Sequence, residues 1–150
     1  MKKQHLLEAL EIVKPGLATK EVIEQTNYFA FMGGRVVTYN DKISLSHPVL
    51  GLDVTGAVHA EELYQLLRKI KKEDIEVVMT DNEIGLSAGN AKAGLVLQQE
   101  IKLPLSEVAE HSKWFKLPEG FLKSLKFALG AVSSDSSEPI LTTVHVNQKG

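Results

Sequence analysis

Between residues 5 and 14, Leu6, Leu10 and Val13 fall on one helical face, with Leu7 and Ala9 beside them. Pro15-Gly16 then stops the predicted helix. From Val22 to Val49 the pattern changes to short strands and tight turns. Phe29 and Phe31 alternate with Ala30 and Met32, and Gly33-Gly34 supplies the positive φ angles of a two-residue hairpin turn. Val36–Tyr39 follows, then a turn at Asn40-Asp41, then Ile43 and Leu45 at period two. A second helix is predicted over 60–72 from the stripe Leu63, Leu66, Leu67 and Ile70, with Glu61-Glu62 suited to its first turn. A second meander follows: 75–80, a turn at Asp81-Asn82, 83–88, a turn at Gly89-Asn90, and 91–98. Ile75 and Val77 flank charged Glu76, the pattern of a sheet with one wet face.

Helix-plus-meander thus occurs twice, and Leu6, Leu10 and Val13 match Leu63, Leu67 and Ile70 at one constant shift. A sheet with one apolar face needs a cover, and one helix per half supplies it. Residues 1–105 therefore read as an α+β domain of two similar halves, about 1–56 and 57–105, with a linker carrying it to about 111. The linker, Ser106–Trp114, bears Glu107, Glu110, His111 and Lys113 without periodicity. A third helix is predicted over 119–129 from Phe121, Leu122, Leu125 and Leu129. The polar stretch Ser133–Glu138 then leads through Pro139-Ile140-Leu141 into a predicted strand containing Val144 and Val146.

This third unit repeats the first. Leu6 matches Phe121, Leu10 matches Leu125, and without a gap Phe29 and Phe31 match Val144 and Val146. Residues 115–150 read as the start of a second domain, ending where the first copy has Gly33-Gly34. The expectation is a fragment whose residues 116–150, short of sheet partners, are its more mobile part.

Composition narrows the function classes. Hydrophobic residues are 43% of the 150, enough for a core and too many for a disordered chain. With 17 basic and 19 acidic residues, the formal charge is −2. Any contact with nucleic acid must then come from a local basic surface. The absence of cysteine removes disulfides, thiolate nucleophiles and cysteine-bound zinc. No signal core or membrane-length apolar run occurs, so a cytoplasmic protein is expected.

Several segments resemble the bacterial or phage DNA sliding clamp, the beta subunit of DNA polymerase III. They are His5–Leu10, the turn-bearing Val37–Asp41, the helix entry Ala57–Leu63, the strand pair Glu83–Lys92, and above all Phe115–Leu125 with Ser136–Leu141. The resemblance rests on the order and spacing of several short matches and spans the whole chain. It implies a clamp fold, antiparallel sheets with one helix per half-domain packed on them. It also implies a ring around duplex DNA that tethers the replicative polymerase and carries no catalytic site. The implied partners are double-stranded DNA, the polymerase, the clamp loader and a second copy closing the ring; no cofactor is implied. The family's client-peptide cleft lies mainly between its later domains, so it is assigned no residue here.

A sliding ring must attract phosphate without reading bases. The residue types that do so here are Lys14 and Lys20 around the first helix, Arg68, Lys69, Lys71 and Lys72 at the second, and Lys123 and Lys126 on the third. Cations at helix C-termini also complement the helix dipole, and both readings of these residues stand. His5, His47, His59, His111 and His145 show no i, i+4 metal pair. Gly33-Gly34-Arg35 reads as a turn, since the glycines and lysine of a phosphate loop are missing. Ser133–Ser137 reads as a loop, and Trp114 as packing at a domain junction. Asp41 and Asp81 read as turn residues whose side chains cap local amides. Two rival functions remain: an interaction module of the same fold that ignores DNA, and a small α+β hydrolase, for which no nucleophile–base pair is visible.

Overall fold

The computed structural model describes residues 1–107, 113, 115–135 and 137–147. The expectations for Glu110, His111, Trp114 and Ser136 lie outside the described residues. The chain divides into two compact units, Met1–Ala109 and Glu110–Gly150.

In the first unit, helix α1 (Lys3–Val13) buries Leu6, Ala9, Leu10 and Val13, the predicted stripe. A single 3-10 turn at Lys14–Gly16 ends it. The Thr38 hydroxyl donates to Val13 O at 2.6 Å, fastening this helix end to the sheet. A Cβ on Gly16 would lie 2.3 Å from that hydroxyl oxygen, so glycine is required there. Strands β1 (Tyr28–Met32) and β2 (Arg35–Tyr39) form the first hairpin. Its two loop residues, Gly33 and Gly34, have φ of 54° and 69°, both left-handed as a type I′ turn demands. β3 (Ser44–Pro48) follows a turn in which Asn40 Oδ1 accepts from Lys42 and Ile43 N–H, while Asp41 takes φ +66°. Asn40 therefore makes the cap expected of Asp41.

β4 (Gly56–His59) runs directly into α2 (Ala60–Lys69), and β5 (Glu76–Met79), β6 (Glu83–Ala88) and β7 (Ala91–Gln98) complete the second meander. The predicted helix over 60–72 ends at Lys69, and Ile70 is already extended. All seven strands join one antiparallel sheet in the order β3-β2-β1-β4-β7-β6-β5. β4 pairs with β1 from Tyr28↔His59 to Phe31↔Gly56 and with β7 at Ala57↔Gln98 and Val58↔Leu97. It is thus the strand that joins the two meanders. The repeat pattern missed it because Gly56, Ala57 and Val58 are all buried, so neither face alternates.

Both helices contribute to one core. Leu6, Leu10, Val13, Leu63 and Leu67 pack in the same cluster as Phe29, Phe31, Val36, Val58, Ile84 and Leu86. Each fully buried side chain of this size contributes about 1.5–3 kcal/mol. A smaller second cluster joins Ala30, Ala57 and Leu103. The amino end is tied in as well: Met1 and Ile75 exchange backbone bonds of 2.7 and 3.0 Å, and Lys2 pairs with Asp74 at 2.8 Å.

In the second unit α3 spans Phe121–Leu129, beginning after Gly120 at φ +79°, and no α3 residue is buried. Phe127 is 89% exposed. The predicted strand through Val144 and Val146 is not formed among the described residues. Pro139–Thr142 makes a 3-10 turn, Thr143 is extended, and residues 144–147 take no strand assignment. Extended conformation alone makes no strand, because a ladder needs a second backbone to accept its hydrogen bonds.

Candidate nucleic-acid interface

The expected cations fall into separate groups. Near the end of α1, Lys14 Nζ lies 4.1 Å from the ring centroid of Tyr64 on α2, and the Arg68 guanidinium carbon lies 5.8 Å from it. Tyr64 is one helical turn before Arg68, so one helix presents ring and guanidinium together. The Tyr64 hydroxyl donates to Glu11 Oε1 at 3.0 Å. That bond, with partial burial and the negative charge of Glu11 adding to it, holds the phenol pKa above the ordinary tyrosine value.

Lys69, Lys71 and Lys72 lie beyond, where α2 ends short of the sheet. With Lys92 of β7 they rim an open depression of about 370 Å³ floored by Leu66, Ile70, Leu86 and Ala88. All of these cations are exposed, and none has an ion-pair partner among the described residues. Lys20 sits on the long loop between α1 and β1, and is exposed. That loop is anchored by Gln25, whose Nε2 donates to Gln98 Oε1 and Glu100 O, and whose Oε1 accepts from Lys102 N–H. The Lys102–Glu24 pair at 2.6 Å closes the same junction. In the second unit Lys123 and Lys126 are both exposed on α3.

Acids share the two helices of the first unit. Glu8 accepts from Gln4, Glu61 from Gln65, and Glu62 is exposed in the first turn of α2. The surface is therefore a patchwork, with its cations gathered toward the carboxyl ends of α1 and α2.

His59 stacks edge-on to Tyr28 at 5.3 Å, and its Nε2 is 3.4 Å from Asn27 Nδ2. Its Nδ1 and Asn27 Oδ1 are buried without partners among the described residues. His47 Nδ1 lies 2.8 Å from Pro48 O. Among the described residues no three of His, Cys, Asp and Glu come together as a metal set. Asp135 Oδ1 accepts from Ser137 N–H, which lowers its pKa. Sequence reasoning missed Tyr64, Glu11 and Lys92. The four-residue step from Tyr64 to Arg68 was a legible signal, whereas their meeting with α1 was not.

No family model and no curated protein matches the chain. Solved structures do. The DNA polymerase III beta chain of Streptococcus pneumoniae superposes with a TM-score of 0.68 at 17% identity, over 93% of this chain and 41% of that one. The DnaN sliding clamp of Pseudomonas aeruginosa, bound to griselimycin, gives 0.71 at 14% identity over 90% and 39%. The Helicobacter pylori beta clamp, bound to a DNA ligase peptide, gives 0.64 at 13% over 92% and 41%. The chain has the fold of the DNA sliding clamp and spans about two fifths of the length of these proteins. Among the described residues no helix is long and apolar enough to cross a membrane.

Proposed function

We propose that the chain acts as part of a DNA sliding clamp, a non-catalytic processivity factor that encloses duplex DNA and tethers the replicative polymerase. The observation that carries this reading is the clamp fold over at least 90% of the chain. In this reading residues 1–111 are a first clamp domain and 115–150 open a second. Lys14, Lys20, Arg68, Lys69, Lys71, Lys72, Lys123 and Lys126 meet phosphates. The chain then belongs to a homo-oligomeric ring in the cytoplasm, and the polymerase, the clamp loader and peptide-bearing clients are its partners. The unpaired state of these cations supports the assignment, because an ammonium already held by a carboxylate has little to offer a phosphate.

Binding of the chain to two duplexes of unrelated sequence, titrated by fluorescence anisotropy across salt concentrations, tests this. Equal affinities that fall steeply with salt are expected, since phosphate contact releases counterions and reads no base. Strong preference for one sequence, or no binding at low salt, overturns it.

The rival reading is an interaction module of the same fold that does not touch DNA. Glu8, Glu11, Glu61 and Glu62 on the same two helices, and the net charge of −2, favour it. Absence of DNA binding at low salt is its signature.

A further inference from the structure

We infer that Tyr64 is a positioning residue for phosphate: its ring holds both Lys14 and Arg68 close to it, and its hydroxyl occupies the Glu11 carboxylate that would otherwise pair with a cation. This rests on the proposed DNA contact of those two cations.

Glu11 and Lys14 are three residues apart at the end of α1, a spacing at which acid and base normally meet. They do not pair. The Glu11 carboxylate instead accepts from the Tyr64 hydroxyl at 3.0 Å. Lys14 and Arg68 have no ion-pair partner among the described residues. Each lies against the same aromatic ring, at 4.1 and 5.8 Å from its centroid.

A ring face attracts a cation through its quadrupole but carries no net charge. The cation keeps its full charge and most of its N–H donors for another anion. Two cations brought to one ring repel each other, and an anion bridging them relieves that repulsion. The exposed position favours an anion that arrives from solvent on a large, fixed polyanion over a mobile counterion, and a phosphodiester backbone is that kind of ligand.

The arrangement makes opposite demands on the two parts of Tyr64. Leucine in its place removes ring and hydroxyl together, so Lys14 and Arg68 separate and Glu11 is free to pair with Lys14. Phenylalanine keeps the ring and loses only the restraint on Glu11.

The test uses the full chain, a short mixed-sequence duplex, and two readouts. The first is the NMR shift of the Lys14 ε-methylene, which a ring directly beneath it moves upfield. The second is the slope of log affinity against log salt. Y64L is expected to abolish the upfield shift and to reduce the slope by about 1 to 2, the change expected on losing one or two phosphate contacts. Y64F is expected to retain the shift and lose about one unit of slope, and Y64F/E11Q to recover it. A residue that only filled space would not be rescued by a change at Glu11.

An identical Lys14 shift in wild type and Y64L overturns the inference at the level of geometry. A lost shift with an unchanged slope overturns it at the level of phosphate contact. If the wild type shows the upfield shift yet binds no duplex at low salt, the DNA reading has failed and the inference falls with it, with the ring geometry intact.

Discussion

Gln25 combines three properties that rarely coincide. It is fully buried, it holds φ at +66°, and it is not glycine. Its side chain makes two donor bonds and accepts a third, all to the segment 98–102 at the exit of β7. A left-handed non-glycine residue persists only where its surroundings over-determine it. Gln25→Ala leaves Lys102 N–H and Glu100 O without this partner, and a loss of about 2–3 kcal/mol in urea unfolding is expected. A loss below about 0.5 kcal/mol would contradict that role. Tyr64 makes a separate prediction about pH. Its raised pKa, caused first by the bond to Glu11, favours the neutral phenol in the fold. The corresponding stability is fully present below the ordinary tyrosine range and is lost as pH rises through the raised value. Absorbance titration should place Tyr64 above an ordinary tyrosine, and E11Q should bring it down. No change on E11Q would contradict the hydrogen bond.

At the scale of elements, what could be read from the sequence followed from turn chemistry and period. The helix stripe of α1 and the strands 83–88 and 91–98 form where alternation and glycine turns predict. β4 was illegible because a strand buried on both faces has no polar phase, and its Gly56-Ala57-Val58 resembles a lead into α2. The strand at 144–146 was over-read, since among the described residues that segment lies beside α3 and joins no sheet. Two glycines separate these effects experimentally. At Gly56, φ is +140° and a Cβ would lie 2.8 Å from the backbone oxygen of Gln98. Gly56→Ala should therefore pry β4 from β7 and cost roughly 2–4 kcal/mol. At Gly33, φ is +54° with nothing within 4 Å of a Cβ. Gly33→Asn should stay within about 1 kcal/mol of wild type, because asparagine tolerates that turn. Thermal unfolding of the pair checks both, and equal losses would contradict the assignment of β4 as the joining strand.

At the scale of the whole molecule, the sequence supplied the cations but not their grouping. Lys14 and Arg68 are 54 positions apart, as the numbering shows (68 − 14), and meet only because α1 and α2 pack on one sheet. Lys69, Lys71 and Lys72 gather with Lys92 because the end of α2 lies against β6 and β7. The second unit, with Phe127 and other apolar side chains exposed on α3 and no buried residue there, keeps little of the packing that pattern promised. The central claim is enclosure of DNA, and it is tested most directly on the protein assembled with its partners as a ring on closed circular DNA. The bound fraction is measured before and after a single cut in the circle. The account predicts retention on the closed circle and loss once an end is available, because attraction to phosphate alone does not pin a ring in place. Equal retention on circular and cut DNA would contradict it.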